Sequence, residues 1–103
     1  RALDPEKQAV IDEILAGFAT DEVRFHAVRT REAGHRSYVT MHVLVPGSWS
    51  VARGHDLAES VERRLRERLQ SVDVATHLEP IEDPRAYEEE LGVEAPGSST
   101  GES

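Results

Sequence analysis

The spacing of apolar residues switches between two periods along this chain, and the order of the switches limits the possible folds severely. In residues 5–18, Val10, Ile11, Ile14, Leu15 and Phe18 recur three and four apart, the mark of a helix with one buried stripe. Residues 23–31 and 37–45 alternate at every second position and are rich in Val, Thr and aromatics, which predicts two strands. The longer period returns up to about Leu69, and alternation resumes over 72–79. A helix must bury one stripe and a half-polar strand one face. Helix, strand, strand, helix, strand therefore closes as an α+β sandwich with both helices on one face of a three-stranded sheet.

Local signals agree with this order. Asp4 can cap the free amides of the first helix, Pro5 costs no hydrogen bond at its first position, and Glu6 suits the positive end of its dipole. Residues 17–20 end it. Glu32-Ala33-Gly34-His35-Arg36 is short enough for an antiparallel hairpin, with Gly34 able to take positive φ. Pro46-Gly47-Ser48 breaks the second strand, and Ser48 or Ser50 caps the long helix. Its expected buried side is Val51, Leu57, Ala58, Val61, Leu65 and Leu69, with Arg63, Arg64, Arg66, Glu67 and Arg68 on the solvated side. If the second and third strands are parallel, the link through this helix is a right-handed crossover, and the other sheet face is left open.

The 103 residues suffice for one core of two layers, with modest stability that association would raise. No stretch approaches the roughly 20 apolar residues of a membrane span, and no signal-peptide pattern is present, so neither membrane insertion nor export is expected of this segment. The absence of cysteine excludes disulfides, thiolate zinc sites and thiol catalysis, leaving His nitrogen and carboxylate oxygen for any metal. The net charge of −8 is uneven: residues 1–78 carry 11 basic and 12 acidic side chains, while 79–103 carry one Arg and 8 acidic residues. With only Phe18, Phe25, Tyr38, Trp49 and Tyr87 as aromatics and no basic stripe among them, nucleic-acid binding is not expected. Residues 1–80 read as the folded domain and 81–103 as an acidic, largely flexible tail with a helical turn near 86–91.

Strand alternation gives the histidines a common side. If Val39, Met41, Val43 and Val45 face the helices, then Tyr38, Thr40, His42 and Leu44 face the open side. Val72, Val74, Thr76 and Leu78 facing the core sends His77 and Glu79 outward, and Val23, Phe25 and Ala27 facing the core leaves His26, Val28 and Thr30 outside. Three imidazoles and one carboxylate thus converge from three strands, a donor set suited to a borderline divalent ion such as Zn²⁺. His55 is a fourth candidate imidazole, with Asp56 beside it and Glu59 one turn on. Taken singly, each of these is most simply a polar surface residue; together they argue for a site. His35, in the hairpin turn, belongs to solvent.

These residues resemble the carboxy-terminal cytoplasmic domain of the cation diffusion facilitator family, the dimeric metal/proton antiporters, over residues 5–80. The resemblance lies in His26-Ala27-Val28-Arg29-Thr30-Arg31 followed by Ala33-Gly34, in Val39-Thr40-Met41-His42, in Gly54-His55-Asp56-Leu57-Ala58 with Val61-Glu62, and in Val74-Ala75-Thr76-His77-Leu78-Glu79-Pro80. It implies a ferredoxin-like, metallochaperone-like αββαβ domain that forms a homodimer on the cytoplasmic side of a membrane and binds divalent metal near the dimer interface. It further implies that His26, His42, His77 and Glu79 are the principal metal ligands and that His55 completes a second site, by Zn²⁺ first and by Cd²⁺, Co²⁺ or Ni²⁺ as other ions of matching chemistry. Some members carry Asp at the place of Glu79, whose extra methylene bears on bridging geometry and on whether one or two ions bind. The transport site of such proteins lies in a transmembrane domain, so this chain reads as its regulatory domain, with residues 1–4 ending the linker, and not as an enzyme. The competing readings are a small-molecule-binding α+β regulatory domain with incidental histidines and, behind it, a metal-dependent hydrolase, for which no oxyanion site or second base is evident.

Overall fold

The computed structural model describes residues 1–87. Helix α1 spans Pro5–Phe18, strand β1 Arg24–Ala33, β2 Arg36–Val45, helix α2 Val51–Arg68 and β3 Val72–Pro80, and a 3₁₀ turn follows at Pro84–Tyr87. Both helix starts are those expected from sequence. The Asp4 carboxylate accepts from the Glu6 N–H, and the Ser50 hydroxyl accepts from the Arg53 N–H, each satisfying an amide that the helix itself leaves free. No helix among the described residues is long and apolar enough to cross a membrane.

The sheet order is β1-β2-β3, with β1 antiparallel and β3 parallel to the central strand. Ala33 pairs with Arg36, leaving Gly34 and His35 as the hairpin turn, and Gly34 takes φ 62°. The helices share one sheet face. Ile11, Ile14 and Leu15 of α1 and Val61 and Leu65 of α2 close over Val39, Met41 and Val43. Two polar pairs tie the layers as well: Thr76 donates to Glu62 at 2.6 Å, and Lys7 meets Glu32 at 2.7 Å. The residues ahead of α1 belong to the fold, since Leu3 is buried and the Arg1 carbonyl accepts from the Glu32 N–H at 2.8 Å.

Three sequence expectations are corrected. Val51 is 83% exposed, because it opens α2 ahead of Gly54, where the helix first meets β3 against Leu78. Val28 and Thr30 do not share the outward side of His26. Register runs from His26 opposite His42 directly to Arg29 opposite Thr40, so one residue is extra in β1, and Ala27 takes φ 53° there. This β-bulge inverts the alternation: Val28 packs on the core, and the Thr30 hydroxyl donates to Gln8 of α1 at 2.9 Å.

The second sheet face is also not wholly open. Residues 81–87 turn back over it after β3. The Ile81 N–H donates to the Val45 carbonyl at 2.7 Å, the Tyr87 hydroxyl donates to the Ile81 carbonyl at 2.9 Å, and Ala86 is 2% exposed. Leu44, which points to that face, is completely buried. Of the expected tail, residues 88–103 lie outside the described residues.

Candidate metal centre

The registers place His26 opposite His42 and His42 opposite His77, so three imidazoles form one row across all three strands. Residues directly opposite in a sheet share a face, and this face is the one turned away from the helices. The bulge begins one residue after His26, which keeps that side chain in phase with its neighbours. The row therefore survives the local failure of alternation in β1.

The open face can be followed row by row. Arg31, Tyr38 and Asp73 lie at one end, then Arg29, Thr40 and Ala75, then the histidines, then Arg24, Leu44 and Glu79. The His42 and His77 rings stack with centroids 5.6 Å apart and an interplanar angle of 20°. The His26 ring instead meets Tyr87 edge to face at 4.8 Å. His42 Nδ1 lies 3.4 Å from the Ala86 carbonyl oxygen, a long contact that can only be a hydrogen bond if Nδ1 carries the proton. That tautomer puts the lone pair on Nε2, the arrangement commonly found in imidazole metal ligands. A cavity of ≈ 230 Å³ lined by Ala27, Arg29, Thr40, Met41, His42 and His77 opens beside the row. At the far end Arg36 grips Asp73 through two hydrogen bonds of 3.2 and 2.8 Å, which hold the Asp73 carboxyl below its usual range.

His55 is placed elsewhere. It lies exposed near the start of α2, on the helical layer, with its Nε2 3.8 Å from Glu59. His35 is exposed in the hairpin turn. Among the described residues, no three His, Asp or Glu side chains approach closely enough within the protomer to enclose an ion. The donor chemistry nonetheless fits a borderline divalent metal, and His26 Nδ1 is buried without a hydrogen-bond partner, a nitrogen left for a ligand to satisfy.

Tyr87 and Ala86 are the residues of this face that sequence reasoning passed over. Their signal was faint: Ile81, Ala86 and Tyr87 are the apolar groups in an otherwise acidic stretch punctuated by Pro80 and Pro84.

Comparison with known proteins gives a consistent picture. The sequence profile of the cation efflux protein cytoplasmic domain matches residues 3–81. An uncharacterised transporter of Synechocystis, sll1263, is 43% identical over 88 residues, covering 85% of this chain and 28% of the relative. The cation-efflux pump FieF of Serratia proteamaculans is 35% identical over 81 residues, covering 78% of this chain and 26% of the pump. The chain thus spans little more than a quarter of the length of these relatives. Among solved structures, CzrB, named as a candidate zinc transporter, superposes with a TM-score of 0.68 at 30% identity, covering 77% of this chain and 98% of that one. The metal-bound C-terminal domain of the CzcD transporter from Thermotoga maritima gives 0.67 at 27% identity, covering 77% and 92%.

Proposed function

Since this chain belongs to the cation efflux family as its cytoplasmic domain, we propose that it is a metal-sensing homodimerisation module of a divalent-cation efflux transporter. The observation that carries this reading is the in-register row of His26, His42 and His77, with Glu79 one pleat further along β3 on the same side. A bound ion of the Zn²⁺ type supplies a crosslink between strands or protomers. His26, His42, His77 and Glu79 would hold it, and His55, on the helical layer, would serve a second position completed from another protomer. One protomer alone brings no three such groups together among the described residues, which favours a site finished by association. A dimer that binds the ion more tightly in one arrangement is stabilised in that arrangement by the difference in affinity. Joined to a transmembrane domain, that bias would reach the transport step.

The test combines calorimetric Zn²⁺ titration with sedimentation on the same sample. His42→Ala and His77→Ala should each weaken binding by at least the roughly 10–100-fold typical of losing even an outer partner of a metal site. His35→Ala should leave it unchanged. Equal effects of all three substitutions would refute the site. No saturable, histidine-dependent binding would return the small-molecule reading, and a monomer at tens of micromolar with and without Zn²⁺ would refute the dimer.

A further inference from the structure

We propose that Glu32 fastens residues 1–4 to β1, so that the chain ahead of α1 is a rigid part of the domain and moves with the strand that carries His26. The fastening itself is independent of the metal-site reading above; its consequence for transport rests on that reading.

Three observations carry it. First, Glu32 holds the entering chain with both its backbone and its side chain. Its N–H donates to the Arg1 carbonyl at 2.8 Å, on the outer side of an edge strand. Its carboxylate accepts from Lys7 of α1 at 2.7 Å. That Lys7 bond, then a hydrogen bond from the Asp4 backbone and the nearby Arg1 charge, hold the carboxyl below its usual range. One residue of β1 thus engages Arg1, Asp4 and the first turn of α1 together. Second, the fastening is shielded. The Glu32 side chain is 11% exposed, and Leu3, in the middle of the held segment, is buried in the core cluster, so water competes weakly for these bonds.

Third, Glu32 and His26 share a strand without sharing a face. Glu32 stands opposite Ser37, which is buried towards the helices, whereas His26 stands opposite His42 on the other side. β1 therefore carries the fastening on one face and a candidate ligand on the other. A flexible linker absorbs a displacement of the domain it joins, and a fastened one passes it on. Where the proposed transmembrane domain precedes residue 1, a shift of β1 on metal binding would reach it through residues 1–4 instead of being lost in a swivel.

The experiment uses the full chain with nitroxide labels at Ala2→Cys and Ala52→Cys, two exposed positions in a chain without cysteine. Pulsed EPR reads the distance distribution between them, and hydrogen exchange reads the amide of residue 32. With Glu32 intact the distribution should be single and narrow. Glu32→Ala should broaden it and speed exchange of that amide about tenfold, as expected for loss of a hydrogen bond to a charged group. Glu32→Gln keeps the length and an acceptor but not the charge, so it should broaden the distribution less, and it decides the matter if Glu32→Ala does not fold. A broad distribution with Glu32 intact, or an unchanged width in Glu32→Ala (in Glu32→Gln where the alanine variant does not fold), would overturn the fastening and leave burial of Leu3 as the anchor. Both variants should bind Zn²⁺ as tightly as the parent chain; loss of binding in Glu32→Gln would put Glu32 in the metal site and overturn the role given to it here. If the parent chain binds no Zn²⁺, the metal-site reading fails, and the distance distributions still decide the fastening.

Discussion

Two buried side-chain atoms among the described residues have no hydrogen-bond partner, His26 Nδ1 and Ser37 Oγ, and they mean opposite things. The imidazole lies on the face that carries the other histidines, and under the proposed function its nitrogen would serve a ligand. The Ser37 hydroxyl is completely buried on the helix-facing side of β2, in line with Val39 and Met41. A buried hydroxyl without a partner loses its water and gains nothing in return, so it is a net cost to the fold. Ser37→Ala should therefore stabilise the domain by about 1 kcal/mol, seen as a rise of roughly 4–8 °C in thermal midpoint for a domain of this size. A fall in the midpoint would mean that the hydroxyl has a partner in solution.

Among the elements, β1 is the one whose sequence and conformation disagree. An alanine in the left-handed region is strained by about 1–2 kcal/mol, and Ala27 at φ 53° accepts that strain where the bulge forms. Glycine removes the strain but adds about 0.4–1 kcal/mol of unfolded-chain entropy to be lost. Ala27→Gly should thus leave the unfolding free energy unchanged or raise it by up to about 1.5 kcal/mol, read as an unchanged or higher urea midpoint. A β-branched side chain fits that region worst, so Ala27→Val should destabilise by more than about 1 kcal/mol. Matching losses for Gly and Val would show that the bulge does not need this backbone. The bulge also places Thr30 against α1 and Arg29 beside Thr40, so its geometry sets both layers of the strand at once.

For the whole molecule, some of the ion pairs among the described residues join elements that are distant in sequence. Lys7–Glu32 ties α1 to β1, and Arg36–Asp73 ties β2 to β3. A hydrogen bond from Lys7 holds Glu32 below its usual 4.5, and hydrogen bonds from Arg36 hold Asp73 below its usual 3.8. Hydrogen bonds from Arg85 lower Asp83 likewise. Because these folded values are depressed, the unfolded chain binds more protons in the acidic range. The stabilisation is present above the ordinary carboxylate values and is lost as pH falls through the depressed ones. The urea midpoint should therefore drop as pH is lowered below 4.5, and Arg36→Met should flatten part of that drop. Both effects should shrink at high salt, since the Arg36 and Asp73 side chains are about half exposed. An acid profile identical in Arg36→Met and wild type would remove this account.

Features decided within one turn of helix or one stretch of strand were legible in the residues themselves. The caps at Asp4 and Ser50, the run of α1 from Pro5 to Phe18, the hairpin at Gly34 and the common face of His26, His42 and His77 all follow from local hydrogen bonding and side-chain period. Family membership was legible too, because four motifs kept their order and spacing. What only the tertiary structure decided is non-local. Alanine has no preference for the left-handed region, so nothing in the sequence marks Ala27 as a bulge; the pairing of β1 with β2 puts it there. The exposure of Val51 depends on where α2 meets β3, and the bond of the Ile81 N–H to the Val45 carbonyl depends on a segment returning to the sheet after Pro80. His55 sits on the other layer from the histidine row because helices and strands of one chain take opposite sides of the core. Period tells a residue which side of its own element it occupies, and packing between elements tells it what, if anything, lies across from that side.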